Sequence, residues 1–117
     1  MSSYSVGEVV QIELDPTRGQ EQKKTRPCLI INVHPKLELV TVFPITDSQG
    51  KPIKVFVEIK DLKNAGLSKP SVIDTFQIRT LSNERIIKKM GNVSEDEVFS
   101  CRKNIALIFE IDEEHLV

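Results

Sequence analysis

The chain reads as mainly β, α+β in class, on three observations. Six short segments are rich in Val, Ile and Thr, and the connections between them carry Gly, Pro, Asp, Asn and Ser. Sustained helical periodicity appears only after residue 93. Short strands separated by turns pack as a compact barrel or sandwich, and a late amphipathic helix must lay its apolar stripe on that sheet. At 117 residues the chain is expected to form one domain, 1–117, long enough to bury a core.

Each element has a local reason. In "EVVQIEL" (8–14), Val10, Ile12 and Leu14 alternate with Val9, Gln11 and Glu13, as two faces of a strand require. "PCLIINV" (27–33) is continuously apolar and suits a central strand buried on both faces. "LELVTVFPI" (37–45) alternates until Pro44, which lacks a ladder donor and is expected to weaken its end. After "DSQGKP" (47–52), "KVFVEI" (54–59) sets Val55, Val57 and Ile59 on one side. "SVIDTFQIRT" (71–80) and "RIIKKMGNV" (85–93) are the last expected strands, with Phe56 and Phe76 read as core rings.

A short helical turn over 60–65 is expected to stop at Gly66. Ser94 and Glu97 have capping-box spacing, with Glu95 and Asp96 at the positive end of the helix dipole. Val98, Cys101, Ile105 and Ile108 follow at helical spacing.

Composition narrows the function classes. No apolar run approaches the ~20 residues of a membrane span, and "MSSYSVGE" lacks the pattern of a secretory signal, so a cytoplasmic location is expected. Cys28 and Cys101 lie in different elements and read as small buried hydrophobes. With His34 in a turn and His115 in the acidic tail, no metal cluster is expected. Residues 1–93 hold 14 Lys/Arg against 10 Asp/Glu, whereas 94–117 hold 2 against 7. The body can therefore meet a polyanion although the chain as a whole carries −1.

The loop "DPTRGQEQKKTRP" (15–27) is longer and more charged than a hairpin turn needs. Arg26 precedes Pro27, which favours extended backbone at a strand end. A guanidinium fixed there can present its donor fork to a phosphate, or it can pair structurally with Asp15 or Glu21. Thr46, at the end of "PITD", is by itself an ordinary strand-end hydroxyl. The sequence contains no glycine-rich phosphate loop, serine elbow or histidine pair for acid–base exchange.

The loop resembles the signature of the MazF/PemK toxins of bacterial type II toxin–antitoxin modules. It matches at Asp15-Pro16, Gly19, Glu21-Gln22, Arg26-Pro27 and the aliphatic run Leu29 to Val33. "VFPITD" places Thr46 where that family closes a strand with threonine, and Gln77, Arg79 and Thr80 fit a Gln-x-Arg-Thr pattern.

The resemblance implies an SH3-like small β-barrel with a C-terminal helix packed on it, working as a homodimer. It further implies metal-independent, sequence-specific cleavage of single-stranded RNA by 2′-hydroxyl attack, with no cofactor, and a cognate antitoxin protein as partner. By the same resemblance Arg26 and Thr46 are the catalytic residues, and Gln20, Glu21, Gln22, Lys24 and Gln77 bind substrate. Two departures stand out. Gln20 occupies a position where some relatives have histidine or serine, and Phe76 one where several have an acid. Catalysis then leans on Arg26 and Thr46. The alternative is a non-enzymatic toxin or binding module on the same barrel, like the CcdB gyrase poisons, since fold alone does not fix function.

Overall fold

Strand β1 (Glu8–Asp15) pairs antiparallel with β2 (Lys24–His34), which pairs antiparallel with β3 (Leu39–Asp47). These elements belong to a computed structural model that describes residues 3–15, 24–49, 56–112 and 114. The remaining elements are β4 (Val57–Glu58), α1 (Leu62–Ala65), β5 (Ser71–Ile73), β6 (Arg79–Ser82), β7 (Ile86–Asn92) and α2 (Glu95–Ile108). The strands run β4-β5-β3-β2-β1-β7, with β6 paired to β3. Among the described residues this path is open, so the expected barrel is a sheet that does not close on itself. The α+β class and the C-terminal helix are as expected.

Alternation along the strands divides the apolar residues between two cores. Val9, Leu29, Phe43, Ile45 and Ile73 pack on one side with Cys101 of α2. Val10, Ile12, Cys28, Ile30, Val42 and Leu81 pack on the other. Cys28, Leu29 and Ile30 are fully buried in succession, which is why the 27–33 run carries no polar face at its centre. Each fully buried Leu, Ile or Phe stabilises the fold by ~1.5–3 kcal/mol, so β2 anchors both cores.

Pro44 does not end β3. That strand pairs with β6 over Leu39–Val42 and with β5 over Ile45–Asp47, so Pro44 sits where it changes neighbour. A missing N–H costs least at such a junction. The expected strand over 71–80 is interrupted for the same reason. The Asp74 carboxylate accepts from the Phe76 amide (3.0 Å) and turns the chain through a 3-10 turn, Thr75–Gln77, between β5 and β6. His34 ends β2, half-buried, with Nε2 3.1 Å from the Thr41 hydroxyl, and so departs from the expected surface turn.

Both helices start as their sequences direct, and the first also stops as expected. Asp61 caps α1 through the Asn64 amide (3.1 Å), and Gly66 ends it at φ 76°. The reciprocal Ser94–Glu97 box caps α2, and buried Glu97 also accepts from the Lys60 amide (2.7 Å), tying helix to loop. No helix among the described residues is long and apolar enough to cross a membrane.

Candidate active site

Arg26 lies opposite Ile12 near the start of β2, and Thr46 lies opposite Val72 near the end of β3. The β2–β3 ladder runs from His34↔Leu39 to Cys28↔Pro44. Continued by two residues, that register sets Arg26 against Thr46 on one face of the sheet. Both residues line an open cleft of about 270 Å³, whose far wall is the Leu67–Lys69 segment after α1. Arg26 is exposed and Thr46 half-buried.

The electrostatics of the site come from more than one arginine. Burial pushes the Cys28 thiol from its ordinary 9.0 up to about 12, while Arg79 and then Arg26 pull it down. Two guanidinium groups therefore act on the one thiol. Arg79 donates Nη2–H to the Leu14 carbonyl (3.3 Å), and Arg85 donates Nη1–H to the Glu13 (3.2 Å) and Leu14 (3.1 Å) carbonyls. A register shift between Glu13 and Asp15 breaks the regular β1–β2 pairing there, where those carbonyls take side-chain donors. Lys69 adds a further cation to the cleft wall. The cleft itself is lined by two cations, Arg26 and Lys69, and one carboxylate, Asp47, leaving an excess of positive charge that a phosphodiester could meet.

Residues 5–109 match the profile of the family described as PemK-like, MazF-like toxin of type II toxin–antitoxin system. This chain belongs to that family. Among curated relatives, Endoribonuclease MazF of Staphylococcus epidermidis is 37% identical over 98 residues, covering 79% of each chain. Endoribonuclease MazF9 of Mycobacterium tuberculosis is 28% identical over 100 residues, covering 79% of this chain and 84% of the relative. Among solved structures, a MazE–MazF structure from Deinococcus radiodurans superposes with a TM-score of 0.77 at 21% identity, covering 93% of this chain and 97% of that one. Mycobacterium tuberculosis toxin MazF-mt6 gives 0.72 at 24%, covering 90% and 98%. These structures establish that the fold is the MazF fold.

Within this MazF-family frame the site residues expected from sequence separate clearly. Arg26 and Thr46 share the cleft. Gln77 is exposed in the turn before β6 and is not among the residues that line this cleft; the Asp74 amide pins that turn to the Pro44 carbonyl (2.9 Å), between the β5 and β6 pairings of β3. Gln20, Glu21 and Gln22 lie outside the described residues, as does Glu21 as an ion-pair partner for Arg26; Lys24 is described only as backbone of β2. Phe76 corrects the core expectation: it is 54% exposed, its ring meeting half-buried Phe56 edge to face at 6.2 Å. The break in the strand at Asp74 swings it outward.

Sequence reasoning missed Lys69 in the cleft wall, Arg85 as a donor to the Glu13 and Leu14 carbonyls, and Asp74 as the acceptor that shapes the Thr75–Gln77 turn. Only Lys69, ahead of Pro70, carried a local hint, by analogy with Arg26 ahead of Pro27. Among the described residues no three His, Cys, Asp or Glu side chains converge as metal ligands.

Proposed function

We propose that this MazF-family toxin is an endoribonuclease that cuts single-stranded RNA at short sequences, using Arg26 and Thr46 and no metal. The observation that supports it best is their shared cleft, an exposed guanidinium and a strand-held hydroxyl on adjacent strands. In the proposed step the ribose 2′-oxygen attacks the neighbouring phosphorus and loses its proton to water. The P–O5′ bond breaks, and the 5′-oxygen takes up a proton, leaving a 2′,3′-cyclic phosphate and a 5′-hydroxyl. Negative charge grows on the phosphoryl oxygens as the phosphorane forms. A guanidinium fork aimed at those oxygens lowers the barrier, and the Thr46 hydroxyl donates to the same group. A guanidinium stays protonated at pH 7, so its contribution is electrostatic rather than proton transfer. Unpaired RNA is the fitting substrate because only a flexible backbone reaches in-line geometry.

Partners follow from the same reading. A cognate antitoxin fits a cation-lined cleft, since an acidic segment laid over it would block RNA; two of the similar structures pair MazF with MazE. A homodimer is supported by α2, whose outer side exposes Phe99 and Leu107, continued by Phe109. A cytoplasmic site of action follows if mRNA is the target.

The direct test is the chemistry of the ends. Purified protein with a short RNA in EDTA should yield cyclic phosphate and 5′-hydroxyl products, and a single 2′-deoxy substitution at the cut should abolish them. Cleavage of the deoxy substrate would reject the mechanism. Poisoning of gyrase without RNA cleavage would instead favour the non-enzymatic alternative.

A further inference from the structure

Lys69 stands on a cleft wall that the fold holds in place. Its carbonyl accepts from the hydroxyl of buried Ser71 (2.7 Å), and the Pro70 carbonyl accepts from the Ser48 amide (3.0 Å). Ser71 pairs with Asp47, one residue beyond Thr46, and Leu67 packs against the core that contains Phe43 and Ile45. Pro70 also favours extended backbone at position 69. The wall is therefore tied, on both sides of Lys69, to the strand that carries Thr46.

The charges in the cleft are not used up internally. Among the described residues, the side chains of Arg26 and Lys69 make no hydrogen bond or ion pair, and both residues are exposed. Asp47, the one carboxylate lining the cleft among them, accepts from the Gln49 amide through Oδ1 (2.9 Å), which turns it to its own loop. Two uncompensated cations lining one solvent-open cleft draw an extended anion between them. Arg26 and Thr46, on adjacent strands, together meet the oxygens of one phosphate. Lys69 meets the strand from the other wall, and so at a different phosphate. An ammonium on a flexible stem suits a phosphate whose charge stays constant, whereas the planar arginine fork suits the one that reacts.

We propose that Lys69 is a phosphate-binding residue: it grips the RNA backbone at a linkage next to the one being cut, so that the strand threads the cleft between Lys69 and Arg26. This rests on the ribonuclease reading and adds to it a second contact that holds the substrate without taking part in the bond changes.

The test is the salt dependence of binding, read on an unpaired RNA made uncleavable by one 2′-deoxy substitution at the cut. On single strands each neutralised phosphate adds about 0.7 to the steepness of log affinity against log salt. Lys69→Ala should lower that steepness by about 0.7, so that its deficit against the wild type shrinks about fivefold for each tenfold rise in salt. Lys69→Arg, which keeps the charge, should restore it. Neutral methylphosphonates placed one linkage at a time then locate the contact. At a linkage beside the cut, the replacement should weaken wild-type binding as Lys69→Ala does and add little in that variant. On cleavable RNA, Lys69→Ala should raise the concentration for half-maximal cutting far more than it lowers the rate at saturation. A merely structural role would leave the salt slope unmoved. An unchanged slope, or coupling of Lys69 to the scissile linkage or to none, would overturn the proposal. A Lys69-dependent slope in a wild-type protein that cuts no RNA would instead remove the ribonuclease reading and keep the phosphate contact.

Discussion

Chemistry in this chain is concentrated in a few side chains whose neighbours dictate how they act. In the proposed mechanism Thr46 has a single hydroxyl to offer the phosphate, so Thr46→Ala should lower single-turnover cleavage by roughly tenfold to a hundredfold, and Thr46→Ser should retain most of the rate. Equal losses in both variants would mean that the methyl group, through packing, matters more than the hydroxyl. The two thiols are inert by position. Burial raises Cys28 and Cys101 from 9.0 to about 12, helped at Cys101 by the nearby Glu97 carboxylate. Neither should react with thiol reagents at pH 8 until the protein unfolds, and rapid labelling of the native protein would contradict their burial.

At the scale of elements, close backbone contact and one buried carboxylate hold the periphery to the sheet. A Cβ on Gly91 would collide with the Asn64 carbonyl of α1, and one on Gly66 with the Met90 carbonyl of β7. The helical turn thus lies directly on the strand, and Asn64 Nδ2 seals it by donating to the Asn92 carbonyl (3.2 Å). Gly91→Ala should cost about 1–3 kcal/mol by overpacking, measured by denaturant unfolding. No change in midpoint would show that α1 shifts freely. Glu97 accepts from the Ser94 amide through Oε1 (3.0 Å) and from the Lys60 amide through Oε2 (2.7 Å). Glu97→Gln replaces one acceptor with a donor facing an N–H and should cost about 1–3 kcal/mol.

Much of this level was legible in sequence. The strands over 8–14 and 27–33, the short helix with its glycine stop, and the capping box of α2 rest on local pattern, and local pattern decided them. The break at Asp74 was not legible, because "SVIDTFQIRT" has strand-like composition throughout. What splits it is a change of partner, from β3's second half to its first, with Asp74 and Pro44 bonded at the switch. Phe76 was misread as core for that reason. The pairing of Arg26 with Thr46 came from family resemblance, since 20 residues separate them and only the β2–β3 register joins them.

For the molecule as a whole, titration sets an alkaline limit on stability. Both thiols stay protonated in the folded state up to about pH 12 but ionise from pH 9.0 when unfolded. Their contribution is complete below pH 9 and lost as pH rises toward 12. Each thiol lowers stability by ~1.4 kcal/mol per pH unit within that window. Denaturant unfolding from pH 8 to 11 should show the decline, and Cys101→Ala should make it shallower; equal slopes would contradict the assignment. The apolar outer side of α2 makes a size prediction as well: Leu107→Glu should reduce a dimer to monomer in sedimentation, and an unaltered dimer would place the interface elsewhere.

The most direct measurement of the central claim is single-turnover cleavage of one short unpaired RNA in EDTA by the wild-type protein and by Arg26→Ala, with folding of both verified. The arrangement of Arg26 and Thr46 in one cleft predicts rapid metal-free cutting by the wild type and a loss of at least a hundredfold in the variant. Cutting by Arg26→Ala at the wild-type rate, or a wild-type rate that depends on added magnesium, would contradict it.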